Sequence, residues 1–496
     1  MGLVINFSKS TLVPLHVEAG ALESITESLR CTIGSFPQSY LGLPLSCDKL
    51  KMEDFAPILA KVDLYLAGWR AWLLSPAGRL VLINAVLDSI PTYAMAAMRL
   101  PPAVFTALDK LRRAFLWNVT DRASRAQCLV AWDRVCRVKA EGGLGIRALA
   151  VQNVCLLLKI MHRLHAAVPS RWASWVWTQL GDSSLLAPGA SPLGGDHWAV
   201  LKQLMPTYRA LTRVCVGDGR KTSFWHDWWL ADGPLRCVFP ALFSHTSASE
   251  VSVMEARRRG LRALLVPRLT PLAEGEFLVV QGLMGSAGAT GADTRRTVLC
   301  AGARGAFSVR AVYALAQLGG WWGGGGGGGG GGEVANAAFL RASPAPSRVK
   351  FFGWLLTLER IHMRSVLLRK TILTASEAGC PCCSAALETA DQLIFGCPFA
   401  WLFWRDVGLS LDGASVQELH LFDASPAVGE ASPAAFVLLC CWRLWKRRNA
   451  VVFRDGVPSL AATLKDCRDD AALWRPRFKE CHRGHVDVWL GVLGVA

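Results

Sequence analysis

The stretch SPAGRLVLINAVLDSIP, residues 75–91, predicts the class of the fold. Ser75 followed by Pro76 is typical of a helix start, because a serine side chain accepts a hydrogen bond from the first turn and proline suits the first helical position. Apolar residues then recur on one helical face, at Leu80, Ile83, Leu87 and Ile90. Pro91 ends the pattern. The stretch therefore predicts an amphipathic helix and a helical surrounding.

A second helix is predicted from Pro101-Pro102 onwards, with Val104, Leu108, Leu111 and Phe115 on one face. Three cations, Lys110, Arg112 and Arg113, lie largely off that face. Residues 61–150 contain 13 Lys/Arg against 6 Asp/Glu. This excess indicates either a solvated basic face or a helical surface that follows a phosphate backbone.

The composition favours a basic intracellular protein. The chain has 496 residues, a formal net charge of +16 and a pI of about 9.4. Such a charge favours a polyanionic partner, either nucleic acid or an anionic membrane surface. No signal peptide pattern opens the chain, and no charge-free apolar run reaches ~18 residues. We therefore predict reduced cysteines, no transmembrane helix, no membrane partner and a nuclear or cytoplasmic location.

The stretch GCPCCSAALETADQLIFGC, residues 379–397, contains a C-x-x-C pair, Cys380 and Cys383, and a third cysteine, Cys397. Three thiolates at this spacing are typical of three of the four ligands of a structural zinc site. An alternative is a set of reduced cysteines in a decayed domain. Asp469-Asp470 is the one acidic pair that resembles a metal centre, and its helical context indicates a surface pair.

The patterns of three other segments concern local structure. Residues 1–50 resemble strands and turns, as in YLGLPL at 40–45. Residues 166–305 have weak periodicity. Ten glycines, residues 323–332, predict a disordered tract, because glycine loses the most backbone entropy on folding.

Several of these stretches, in order along the chain, resemble plant LINE-type (non-LTR) retrotransposon reverse transcriptases. The stretches are INFSKS (5–10), YLGLPL (40–45), LAGWRAWLLSPAGRLVLINAVLDSIPTYAM (66–95), FLW (115–117), LVAWDRVCRVKAEGGLGI (129–146) and FWHDWWL (224–230). FSVRAVY (307–313), RVKFFGWLLTLERI (348–361) and the cysteine cluster resemble the zinc-binding domain of those polyproteins. WRLWKRRNAVVF (442–453) resembles a connector that precedes ribonuclease H.

The resemblance implies a division into five segments. Residues 1–50 correspond to part of the polymerase palm with a primer-grip-like hairpin, 51–165 to thumb and connection helices, and 166–305 to a poorly defined connection. Residues 306–410 correspond to the zinc-binding domain, interrupted by the glycine tract, and 411–496 to a connector with a basic-aromatic helix and a tail. The fold expected is α+β and predominantly α-helical.

The resemblance also implies site residues. The carboxylates that hold two Mg²⁺ ions in the family lie upstream of INFSKS, so this chain is expected to lack the Mg²⁺ ligands and polymerase activity of its own. Lys9 matches a lysine assigned to general acid catalysis, and Tyr40 lies at the primer-grip-like tip. With Lys110, Arg112 and Arg113 they are predicted to contact an RNA or DNA backbone without sequence specificity.

The family places a histidine five positions before the last cysteine, where this chain has Gln392. A glutamine amide is a poor zinc ligand, so the predicted site is Cys380, Cys383 and Cys397 with a weak fourth ligand: water, Cys382 or none. Three interpretations stay open. The chain is a non-catalytic remnant that binds nucleic acid, a zinc-binding interaction module, or a segment of a longer active RNA-directed DNA polymerase.

Overall fold

The computed structural model describes most of the chain: residues 10–69, 71–117, 128–165, 170–180, 193–230, 232–285, 291, 293–297, 307–318, 331–383, 385–411, 413–428 and 432–494. The structure is 63% helical with 5% strand. This content confirms the predominantly helical α+β class.

The α-helices of the described residues, in chain order, are α1 (Ala19–Leu29), α2 (Ala56–Gly68), α3 (Pro76–Leu82), α4 (Thr92–Ala97), α5 (Pro102–Trp117), α6 (Trp132–Cys136), α7 (Leu149–Leu164), α8 (Arg171–Leu180), α9 (Asp196–Ala210), α10 (Leu235–Val238), α11 (Pro240–Ser244), α12 (Val253–Arg259), α13 (Pro271–Gly285), α14 (Val309–Leu318), α15 (Gly331–Ala342), α16 (Ser347–Thr357), α17 (Arg364–Arg369), α18 (Pro398–Asp406), α19 (Ser425–Val428), α20 (Pro433–Arg454), α21 (Leu460–Trp474) and α22 (Arg483–Val492). The strands are β1 (Thr11–Leu12), β2 (Thr32–Ile33), β3 (Gln38–Tyr40), β4 (Leu43–Leu45), β5 (Thr212–Cys215) and β6 (Thr294–Thr297).

The strands form three two-stranded sheets: β1 with β2 in parallel, and β3 with β4 and β5 with β6 antiparallel. The β3–β4 pair is the hairpin that YLGLPL predicts. Its two turn residues, Leu41 and Gly42, both have positive φ angles, 52° and 79°. Positive φ at both central residues matches the twist of a two-residue hairpin, and glycine adopts it without strain.

The helix predicted over residues 75–91 begins where expected and ends earlier. The Ser75 side chain accepts a hydrogen bond from Gly78 N at 3.2 Å. The α-helix ends at Leu82, and Ile83–Leu87 forms a wider π-type turn closed by Asp88 N donating to Ile83 O at 2.9 Å. Pro91 is then the N-cap of the next helix, α4.

The chain divides into two compact units. The first comprises Met1–Lys61, Ile90–Leu108 and Leu149–Gly319. One of its cores joins helices α7, α8, α9 and α14 through buried residues that include Leu157, Val176, Tyr208 and Val312. These helices therefore share one apolar interior.

A second core of the first unit is built from the tryptophan-rich stretch. Phe224 and Trp225 are fully buried, with ring centroids 4.9 Å apart. The buried carboxylate of Asp293 accepts hydrogen bonds from Gly217 N at 2.7 Å, Gly219 N at 2.9 Å and the Thr222 hydroxyl at 2.7 Å. Asp293 thus satisfies the donors of the loop that leads into this core.

The second unit comprises Val62–Ser89, Asp109–Ala148 and Gly320–Ala496. Its central helix is α16, which is buried at nearly every position and packs against α3, α15 and α20. Helix α20 packs in turn on α21, and α21 on α22. The residues of α16 from Phe351 to Thr357 are all buried, and a helical segment buried on all sides is typical of the middle of a helical core.

The glycine tract is described only at its end. Residues 323–330 of the tract lie outside the described residues, and Gly331 and Gly332 begin α15. The prediction of disorder is therefore wrong for these two positions, which extend a helix that packs on α16. Within the described ranges, no helix has the length and apolar character needed to cross a bilayer.

Candidate metal centre

Three cysteine sulfurs meet in the second unit. The backbone N–H of Cys380 donates to Ala385 O at 2.8 Å and closes the loop that presents Cys380 and Cys383. Cys397 is the N-cap of α18, and Pro398 follows it at the first helical position. The Sγ atoms of Cys380, Cys383 and Cys397 all lie within 4.8 Å of one another.

This spacing fits a tetrahedral zinc site. A Zn–S bond of about 2.3 Å places the sulfurs of a tetrahedron about 3.8 Å apart. Cys380 and Cys397 are buried and Cys383 is partly exposed. Cys382 hydrogen-bonds to Cys380 but does not belong to the three mutually close sulfurs.

The Cys380 thiol forms hydrogen bonds with the thiols of Cys382 and Cys397. Hydrogen bonds from Cys382 and Cys397 lower the pKa of Cys380. The same hydrogen bonds raise the pKa of the Cys382 and Cys397 thiols, and burial raises both further. A thiolate stabilised by neighbouring thiols is the form in which a sulfur binds metal.

Gln392 lies at the cluster, where the resemblance places a histidine. Its Nε2 donates to Cys383 Sγ at 3.2 Å. Its Oε1 is buried and has no hydrogen-bond partner. The side chain that donates to Cys383 thus carries an unsatisfied oxygen beside the cluster, although an amide is outside the usual set of zinc ligands.

The cysteine loop is anchored by a buried ion pair that the sequence analysis did not identify. Arg448 of α20 donates from Nε to Glu388 Oε1 at 2.7 Å and from Nη2 to Oε2 at 2.5 Å. Both side chains are buried. Arg364 N also donates to Glu388 Oε2, at 3.0 Å. The sequence signal was limited to two acids, Glu388 and Asp391, between Cys383 and Cys397.

The residues predicted to bind nucleic acid have different environments. Lys9 lies outside the described residues. Tyr40 is 65% exposed and Lys110 is exposed. Arg113 is half-buried, with its guanidinium 5.5 Å from the ring of Trp132. Tyr40, Lys110 and Arg113 thus retain surface for a partner.

Arg112 requires a correction, because it is only 1% exposed and cannot reach a phosphate backbone. Its guanidinium forms ion pairs with Asp88, at 2.6 Å, and with Asp109. It also donates to Arg147 O at 3.0 Å. The physical reason is that Asp88 and Asp109 compensate the buried charge, so Arg112 joins the core of the second unit.

The interpretation of Asp469-Asp470 as a surface pair is wrong for Asp470. Asp470 is 4% exposed and pairs with Arg443 of α20 at 2.6 Å. Asp469 is exposed. The two carboxylates thus face different environments and do not form one acidic centre.

Comparisons with known proteins relate the same segment to reverse transcription. Residues 328–404 match a family described as zinc-binding in reverse transcriptase. The chain is 34% identical over 199 residues to the Arabidopsis thaliana protein named "Putative ribonuclease H protein", which covers 39% of this chain and 32% of that protein. It is 29% identical over 152 residues to an uncharacterized mitochondrial protein of Arabidopsis thaliana, covering 29% of this chain and 94% of that protein.

The chain spans about a third of the length of the first of these relatives. The family match contains all three cysteines of the cluster, together with Gln392 and Glu388. These findings relate the chain to reverse transcriptases through residues 328–404.

Proposed function

We propose that the chain is a LINE-type retrotransposon reverse transcriptase segment, in which a zinc-supported domain and basic helices bind the backbone of RNA or DNA. One observation chiefly supports the zinc part. The segment that matches the zinc-binding family is also the segment in which three sulfurs lie within 4.8 Å of one another.

In this proposal Cys380, Cys383 and Cys397 are the ligands, and Gln392 adjoins the fourth position. A bound zinc ion supplies a structural cross-link and no redox chemistry. The protein's own residues set up the site. The Cys380–Ala385 backbone hydrogen bond shapes the loop, and the Glu388–Arg448 pair ties it to α20.

The zinc part is tested by measuring the metal content of the full chain purified in reducing buffer. We expect about one zinc per chain, and a loss of zinc in the Cys397→Ser variant. Cys481→Ser is the matched control, because Cys481 is exposed and lies outside the cluster. A zinc content near zero in the unmodified chain contradicts the proposal.

The nucleic-acid part is supported by the net charge of +16 and by the exposed Lys110. Phosphate contacts of this kind release counterions, so the affinity should fall linearly with salt on logarithmic axes. Anisotropy of a labelled single-stranded RNA, measured at several salt concentrations, tests this. A Kd independent of salt, or one that changes with base sequence, contradicts the proposal.

Lys110→Ala should weaken binding and reduce the salt slope. Lys465→Ala is the control. Lys465 is exposed on α21, so this substitution removes the same charge elsewhere in the second unit. Equal effects of the two variants would show that only net charge matters, which contradicts a role for the α5 surface.

A further inference from the structure

A cavity of about 410 Å³ lies within the second unit, away from the cysteine cluster. Its walls come from α3 and the turn after it, from residues 139–144, and from α15 and α16. Small-molecule sites usually have ~300–1,000 Å³ and mostly apolar walls with a few polar groups. The cavity has the size and the form of such a site.

One wall is apolar. Phe351 and Trp354 of α16 lie with their ring centroids 5.8 Å apart. Leu80 and Val81 of α3 line the cavity as well, and Val81 is 60% exposed. The exposure of Val81 marks the open side, through which a ligand can enter.

The cavity is also lined by cations. Lys139, Arg341 and Lys350 contribute to its walls, and the lining includes no aspartate or glutamate. Among the described residues none of the three has a carboxylate partner within 4.0 Å. Three unneutralised positive charges around one apolar cavity favour an anionic ligand.

The pKa of Lys350 supports the proximity of these charges. Burial lowers this pKa, and the positive charges of Arg477 and Lys139 lower it further. An anion in the cavity would oppose that repulsion and raise the pKa of Lys350 again.

Unused hydrogen-bonding groups add to the apolar wall and the cations. The side-chain amide of Asn84 and the hydroxyl of Ser347 line the cavity, and neither has a hydrogen-bond partner among the described residues. An amide both donates and accepts hydrogen bonds, as does the edge of a nucleobase. An alkyl chain with one carboxylate would leave these groups and two of the cations unused.

We propose that this cavity binds a nucleotide, with its base against the Phe351–Trp354 wall and its phosphate among Lys139, Arg341 and Lys350. The source is either a free mononucleotide or one nucleotide of a single strand. The inference goes beyond the proposed function, because it assigns a concave site for one nucleotide unit instead of an open backbone surface.

The test titrates the full chain with adenosine 5′-monophosphate by isothermal titration calorimetry. We expect one site per chain and a Kd at least about tenfold lower than for adenosine or inorganic phosphate alone, because charge-assisted hydrogen bonds act together with apolar burial. No heat of binding with the monophosphate overturns the proposal. Binding of decanoate instead of the monophosphate also overturns the proposal.

Two variants locate the binding. Lys350→Ala and Val81→Glu should each raise the Kd about tenfold, the first by removing a cation and the second by placing a negative charge at the open side. The controls are Lys465→Ala and Val457→Glu, since Val457 is 78% exposed and does not line the cavity. Equal losses in variants and controls overturn the proposal.

A 5′-phosphorylated single-stranded hexanucleotide distinguishes the two sources. Displacement of the monophosphate by the hexanucleotide indicates a strand, and failure to displace it indicates a free nucleotide. Both results uphold the site. A chain that binds RNA with the expected salt dependence but does not bind the monophosphate refutes only the cavity proposal. A chain that binds the monophosphate but no RNA refutes only the proposed backbone binding.

Discussion

Replacing Arg448 with methionine should destabilise the cysteine loop more than any surface change of equal size. Arg448 and Glu388 form a bidentate pair with distances of 2.7 and 2.5 Å, and their side chains are 3% and 0% exposed. Methionine keeps much of the side-chain volume and removes the charge. The Glu388 carboxylate then remains buried without its counter-ion.

Breaking a buried pair by removing one partner costs about 3–5 kcal/mol. Replacing both partners with apolar groups is often close to neutral. In the double variant Arg448→Met/Glu388→Leu, the Arg364 N–H loses its acceptor, which costs about 1–3 kcal/mol. We therefore expect the double variant to recover about 2 kcal/mol of the loss.

Hydrogen exchange with mass spectrometry is the appropriate assay, because a chain with two compact units need not unfold in one step. Protection of peptides that cover residues 380–397 and 433–454 should fall in Arg448→Met and partly return in the double variant. Arg475→Met is the control, since Arg475 pairs with Asp487 at 3.0 Å on the surface.

Two results would refute this reasoning. If exchange protection in Arg448→Met is as high as in Arg475→Met, the buried pair contributes nothing to the stability of the loop. A double variant less protected than Arg448→Met would mean that Glu388 stabilises the loop without Arg448.

Three further predictions concern single side chains. Gln392→His should raise the zinc affinity, because a ligating nitrogen replaces an amide. We expect a gain of more than about tenfold, since losing a residue that only supports a ligand already costs about 10–100-fold in metal affinity. Competition with a chelator measures this affinity. Asp293→Ala should cost at least about 2 kcal/mol by orphaning the buried loop donors, seen as lost exchange protection over residues 214–225. Glu377→Gln should flatten the acid side of the stability profile below pH 4.5, the ordinary pKa of this carboxyl, measured by urea unfolding.

The sign of the last prediction follows from the pKa of Glu377. The backbone N–H and the hydroxyl of Thr374 donate to this carboxylate and lower its pKa from 4.5. The stabilisation is therefore complete above pH 4.5 and is lost as the pH falls through the lowered folded-state value. An unchanged acid profile in Glu377→Gln would contradict it.

Each of the other two predictions also has a control and a contradicting result. For Gln392→His the control is Gln417→His, outside the cluster, and equal zinc affinities would exclude residue 392 from the site. For Asp293→Ala the control is Asp218→Ala, since Asp218 is exposed. Equal protection in both aspartate variants would contradict the anchoring role of Asp293.

Local sequence patterns predict the features that depend on neighbouring residues. The start at Ser75, the helix that follows Pro101 and the hairpin turn at Leu41-Gly42 all agree with the structure. The proximity of Cys380 and Cys383, which are three positions apart, also agrees with the structure. Capping, proline geometry and turn conformation act within one turn of chain, so a local pattern is sufficient to predict them.

The roles of the charged residues depend on contacts between distant segments of the chain. Arg112 and Lys110 are alike in sequence context, yet one is buried and the other exposed. Glu388 and Arg448 pair across sixty positions, and the nucleotide-sized cavity joins residues from 77 to 354. A charge is buried only where a partner from a distant segment compensates its desolvation, and hydrophobic periodicity contains no information about that partner.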